Sequence, residues 1–365
     1  MGAFRFGTLL LFLLLLTTGF ARAQDEDPKK LAYEYAKQGL DLVDKGKLDE
    51  ALVVFQKGYA LDSTNSDFQY EIAVIWYLKK EYSRTIEILE KVLNKPDVND
   101  QYYQILGNAY DLSGQTGKAR KTYASGLKRF PASGVLYLES GVLEYMHKNT
   151  PDAVKYWESG VVADPAFNSN YYWLARYYAS TPEKVWAALY GEVFIAMERN
   201  TERTQEISAL LNQVYTSAIH WSKDPDSITV KFTLGIVQKP KSGEKLPFGQ
   251  LFQECMKKAA DSLSRAGTDS LNYDALCKLR GLFILYWFRG GYQANNPIVV
   301  FDWINKFPEP YYMECYHRWL FLKGNEKAFE SWYYAQPETY GAFVKWFKKN
   351  PVLFNKDNYF SKSKY

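Results

Sequence analysis

The chain has 365 residues and sets 45 Lys plus Arg against 41 Asp plus Glu, a formal charge of +4. So even a balance gives no electrostatic case for nucleic acid or an anionic surface as partner. The length exceeds the usual size of one globular core, so two domains or one elongated solenoid is expected; 30 Tyr, 22 Phe and 10 Trp suit packed helical repeats and also surfaces that grip peptides or sugars.

At the N-terminus, Arg5 precedes an apolar run from Leu9 to Leu16, then Thr17, Thr18 and Gly19, then the small-x-small site Ala21-Arg22-Ala23. This is the pattern of a secretory signal peptide over residues 1–23. The apolar run is shorter than the about 20 residues a membrane span needs. The mature chain is expected to begin near Gln24, exported to the periplasm or secreted, with no transmembrane anchor. Loss of Arg5 and Arg22 takes the charge from +4 to +2. The first cysteine is Cys255, so a lipidated N-terminal cysteine is not expected.

Residues 24–199 repeat. A shift of 34 residues aligns Ala51, Thr85, Ala119, Ala153 and Ala187, and likewise Gly39, Ala73, Gly107, Gly141 and Ala175. Bulky residues recur four positions after the first column as Phe55, Leu89, Tyr123 and Trp157. Small meeting large is what two closely crossing antiparallel helices require. Turn signals at Lys45-Gly46, Ser113-Gly114 and Asn149-Thr150-Pro151 separate the two helices of a unit.

The third unit, with Tyr103, Leu106-Gly107, Tyr110, Ala119, Tyr123 and Pro131, resembles the full signature of the tetratricopeptide-repeat family. The fourth keeps Tyr137, Gly141, Ala153, Trp157 and Pro165 but has Glu144 where an aromatic is usual. The fifth keeps Tyr171, Leu174, Ala175, Tyr178 and Ala187 but has Gly191 and Arg199 where Phe and Pro belong. The resemblance implies an all-α solenoid of about five helix pairs whose first helices line a concave groove. Carried over by alignment, the groove residues are Tyr33, Tyr70, Tyr77, Gln104, Asn108, Asp111, Leu138, Val142, Tyr145, Tyr172 and Arg176. The family's carboxylate clamp of Lys and Asn is missing, since the matching places hold Ala36, Leu40, Glu71, Gln101 and Ile105. An aromatic, amide-bearing groove suits a protein or peptide partner, or a glycan stacked on tyrosine.

Residues 200–365 read as a helical domain with one short strand. Thr201 to Ile219 has the spacing of a single helix that caps the repeats, and Ile228 to Ile236 alternates as a half-buried strand, expected to pair within a short hairpin. Helices resume at Leu251 to Leu263, Leu271 to Phe288 and in pieces from Ile298 to Phe347. With Trp186 to Glu192, Arg203 to Leu210 and Lys323-Gly324-Asn325-Glu326, this half resembles uncharacterised exported tetratricopeptide proteins of Bacteroidota, which implies a periplasm and no particular activity.

No catalytic, cofactor or metal motif stands out. His147, His220 and His317 lack the companions of a metal site. Ser125 to Lys128 and Ser242 to Lys245 have the S-x-x-K spacing without its partner motifs. Cys255, Cys277 and Cys315 read as buried small side chains, or as one bridge from Cys277 to Cys255 or Cys315. The expected function is an extracytoplasmic scaffold or adaptor, not an enzyme; the alternatives are glycan or peptidoglycan binding in the groove and, last, a cryptic C-terminal active site.

Overall fold

The computed structural model describes residues 27–234 and 246–365, so residues 1–23, expected to be a signal peptide, lie outside the described residues. The fold is all-α and opens with ten helices in a repeat-like arrangement. Within the units they pack as α1 (Pro28–Asp44) with α2 (Leu48–Leu61), α3 (Asp67–Leu78) with α4 (Tyr82–Val92), α7 (Gly134–Met146) with α8 (Thr150–Ala163) and α9 (Ser169–Ala179) with α10 (Lys184–Met197), while α5 (Asp100–Leu112) and α6 (Thr116–Arg129) follow one another in the chain between the second and third of these pairs.

The turn after each of α1, α3, α5 and α7 has one construction. A residue with positive φ ends the helix: Gly46 at 71°, Lys80 at 63°, Gly114 at 81° and Lys148 at 64°. Its amide and the next one bond back to the helix, as when Lys148 N donates to the Tyr145 carbonyl at 3.0 Å and Asn149 N to that of Glu144 at 2.8 Å. This paired closure satisfies helix-end carbonyls and turns the chain sharply. Two of the four sites carry lysine in a conformation that costs a side-chain-bearing residue energy, so the architecture, not the residue, dictates the turn there.

The chain forms two compact units, one through Thr116 and one from Gly117 to Tyr365. In the first, the Phe55 ring lies 2.6 Å from where a Cβ on Gly39 would stand, and Thr85 Oγ1 donates to the Ala73 carbonyl at 3.2 Å. In the second, Trp157 fills the space over Gly141 and its indole Nε1 donates to the Leu138 carbonyl at 3.3 Å. The small and large columns of the sequence therefore do meet. Glu144, in an aromatic column, is buried and takes Arg120 Nε at 2.7 Å and Asn149 Nδ2 at 3.0 Å. Those bonds, led by Arg120, hold its carboxyl below the ordinary range.

Beyond the pairs come α11 (Glu202–Ala218), α12 (Phe248–Arg265), α13 (Tyr273–Arg289), α14 (Val299–Ile304), α15 (Pro310–Leu320), α16 (Glu326–Ala335) and α17 (Pro337–Lys349). One hydrophobic core runs from Ala153 to Phe360, with α10 buried on every face between Val185 and Ala196. The two departures of the fifth repeat explain themselves here. A Cβ on Gly191 would stand 2.9 Å from Leu211 of α11, so a phenylalanine would expel that helix. Arg199 lays its guanidinium 3.6 Å over the Phe347 ring and donates from Nη1 to the Phe347 carbonyl at 2.5 Å.

The expected strand pairs with the strand before it but is shorter than expected, and its last residues, 235 and 236, lie outside the described residues. Among the described residues, pairing covers only β2 (Thr229–Val230), antiparallel to β1 (Ile219–His220), with Ile219 opposite Val230 and His220 opposite Thr229. Ile219 thus leaves the helix expected to contain it. The alternation survives as burial, for Ile228, Val230 and Phe232 point into the core. From Phe232 the backbone turns to other work: its carbonyl accepts from Val185 N at 2.9 Å, and its amide donates to Gln253 Oε1 at 2.9 Å. A longer ladder would need those same groups.

All three cysteines are buried, free thiols, each pushed up to about 12 by burial, so no bridge forms. Among the described residues no helix is long and apolar enough to cross a membrane.

Candidate functional site

Each unit carries part of the groove set, on the first helices of its pairs. In the first unit, Tyr33 is 60% exposed with the Lys37 ammonium 4.5 Å over its ring. Tyr70 is half-buried, its ring 4.7 Å from that of Tyr102, whose hydroxyl donates to Asp67 Oδ1 at 3.1 Å. Burial, then the charge of Glu71, pushes the Tyr70 hydroxyl up to about 12, so it stays a neutral donor. Burial likewise raises the Glu71 carboxyl. Tyr77 lies 5.8 Å from Tyr82, Gln104 and Asn108 are half-buried, and Asp111 accepts from Thr116 Oγ1 at 3.1 Å. The Tyr70–Tyr102 and Tyr77–Tyr82 rings meet at tilted angles.

The second unit does gather its residues. Trp173, on α9, stacks on the buried Trp157 at 5.2 Å and meets Tyr145 edge-on at 5.8 Å and Tyr172 at 6.1 Å. The Arg176 guanidinium stands 5.0 Å from the Trp173 ring and 5.2 Å from Tyr172. Leu138 and Val142 are partly buried against the core beneath, and Tyr145 remains 42% exposed. A half-open aromatic face edged by a cation can take a proline, aromatic or aliphatic side chain and hold a nearby acidic group.

Helix α11 bounds this face. Tyr172 is buried; its hydroxyl donates to Glu206 Oε2 at 2.5 Å and accepts from Arg176 Nη1 at 3.1 Å, while Arg176 Nε sits 3.2 Å from Glu206 Oε1. Burial, then that Glu206 bond, raises the Tyr172 hydroxyl. Tyr172 is therefore a packed anchor of the face and Arg176 a held one, leaving Tyr145 and Trp173 as the open rings.

Trp173 and Glu206 are absent from the aligned groove set. The first has a signal in the repeat: a 34-residue step carries Glu71 and Ile105 to Glu139 and then Trp173. Glu206 has none, since it belongs to a helix outside the repeat. The other sequence candidates stay apart. His147 and His220 are exposed, Ser125 is an exposed residue of α6, and Ser242 to Lys245 lie outside the described residues. Among the described residues no three His, Cys, Asp or Glu side chains converge as metal ligands.

No protein-family model matches this sequence, and no curated protein matches it significantly. Among solved structures, the chain is similar to PilF of Pseudomonas aeruginosa, at 17% identity and a TM-score of 0.44 over 52% of this chain and 85% of that one. It is also similar to YrrB, described as a TPR protein with an unusual peptide-binding site, at 17% identity and a TM-score of 0.32 over 50% of this chain and 86% of that one.

Proposed function

We propose that this protein is an extracytoplasmic scaffold or adaptor that holds a protein partner by a peptide segment laid on the first helices of its repeats. The half-open cluster of Tyr145, Trp173 and Arg176 carries the reading. Aromatic rings left partly exposed over a rigid core, with an arginine beside them, have the composition of binding hot spots. Export rests on Arg5, the Leu9 to Leu16 run and Ala21-Arg22-Ala23.

A photo-reactive amino acid at Tyr145, with a second at Tyr77 for the first unit, tests this in the cells that make the protein. One abundant envelope protein captured at Tyr145 is the expected result. Trp173→Ala should then weaken that purified pair by at least about 30-fold, the effect of losing a hot-spot aromatic. An unaltered affinity in a folded Trp173→Ala protein would remove this face from the function.

A further inference from the structure

Helices α13 and α15 leave a second site, away from the repeat face. They run antiparallel: the Tyr273 hydroxyl donates to the Arg318 carbonyl at 2.6 Å near one end, and further along Gly281 faces Met313, where a Cβ would stand 3.7 Å from Sδ. Between them lies a depression of about 430 Å³. Its α13 wall includes Lys278, Gly281, Leu282 and Leu285 beside the buried Cys277, and its α15 wall is Pro310, Met313, Glu314 and His317, with Leu263 of α12 also lining it. Antiparallel pairing sorts these by chemistry. Lys278 falls at the same end as Glu314 and His317, while Leu282 and Leu285 fall beside Met313 and Pro310.

The polar end holds an unusual group. His317 is 0% exposed, and neither of its ring nitrogens has a hydrogen-bond partner. Buried polar atoms left this way are costly, so a native interior normally supplies a partner or a ligand does. Nδ1 is the nitrogen nearest the depression, 3.8 Å from the missing Cβ of Gly281. Burial, with the charge of Arg280 second, keeps the ring neutral, with one N–H to donate. The neighbouring charges are unevenly committed. Glu314 accepts from Arg318 Nε at 2.8 Å, whereas exposed Lys278 makes no ion pair among the described residues.

We propose that this depression binds an aliphatic carboxylate, its head on Lys278 and the His317 N–H and its chain along Leu282, Leu285, Met313 and Pro310. Met313 is unbranched and half-buried, so it is the side chain that yields as the head reaches the ring. Lys278 supplies the charge that selects a carboxylate over an alcohol, and the absent side chain at Gly281 supplies the room.

Decanoate is the probe, titrated calorimetrically into the full mature chain, with 1-decanol as the uncharged comparison and ¹⁵N-histidine spectra followed in parallel. Expected are saturable 1:1 binding of decanoate, decanol weaker by about tenfold or more, and a shift of the His317 ring nitrogens on binding. Lys278→Met should erase the preference for decanoate without touching the fold, and Gly281→Leu should abolish binding of both. Several results overturn the assignment: no saturation by decanoate, equal affinity for the two compounds, full binding by a folded Gly281→Leu protein, or histidine signals indifferent to decanoate, which would leave an ordered water as the partner of His317.

Discussion

The helix pairs of the first unit and the elements beyond α10 are held by contacts of different reach. In the first unit, Ser66 donates from its amide and hydroxyl to Asp97 at 2.9 and 3.1 Å, and Tyr102 donates to Asp67, partners 31 and 35 residues apart. That is about one repeat. Beyond α10 some spans are several times longer: Ser208 Oγ donates to the Leu320 carbonyl across 112 residues, Tyr316 to Glu192 across 124 and Lys362 N to the Tyr190 hydroxyl across 172. A repeat array settles its structure between neighbours, whereas a core closed over long loops depends on a few remote polar anchors being satisfied together.

Breaking one anchor should show that contrast most strongly. Arg280 and Glu192 form an ion pair with both side chains essentially out of solvent. Arg280→Leu alone strands a buried carboxylate and should cost about 3 to 5 kcal/mol in urea unfolding, while adding Glu192→Leu should restore much of it. In the first unit, the Lys79 to Asp49 pair has Asp49 83% exposed; Asp49→Ala should cost no more than about 1 kcal/mol. Equal losses would erase the distinction.

Overpacking the helix crossings is next in size. Gly141→Leu against Trp157 and Gly39→Leu against Phe55 should each cost about 1 to 3 kcal/mol, read as a fall in melting temperature. Unchanged melting in either would contradict the close crossing at that site.

The pH dependence of the second unit should come partly from His317. Its folded pKa lies below the ordinary 6.5 because of burial and then Arg280, so below about pH 6.5 the unfolded chain takes up a proton that the folded chain refuses. Stability from this group is therefore present above that pH and lost as pH falls, by at most about 1.4 kcal/mol per unit. His317→Phe should flatten that part of the curve, and an identical acid slope would show that the histidine does not cause it.

The smallest effect is a gain. Lys80→Gly and Lys148→Gly place glycine where φ is 63° and 64°, and each should stabilise by about 0.5 to 1 kcal/mol in thermal melts.

Much of the repeat was legible because its information is local. The 34-residue columns located the helix pairs and the crossings at Gly39 and Gly141. The face itself was less so. Alignment reached Tyr145, Tyr172 and Arg176, but could not show that Glu206 occupies the Tyr172 hydroxyl or that Trp173 is the ring stacked at the centre. The length of the strand was overread for a related reason. Alternation from Ile228 to Ile236 reports which side is buried and says nothing of backbone partners, and Phe232 gives both of its backbone groups to Val185 and Gln253 instead of a ladder.

By itself, then, the amino-acid sequence determined the helix pairs and their small-against-large crossings, because period and side-chain volume act between residues no more than about one repeat apart. Tertiary structure alone decided why Gly191 and Arg199 depart from the repeat, which rings remain open, and that His317 is buried without a partner. Arg199 turns on Phe347, 148 residues away, and Gly191 and Tyr172 on Leu211 and Glu206 of a helix outside the repeat, where no periodicity carries a signal.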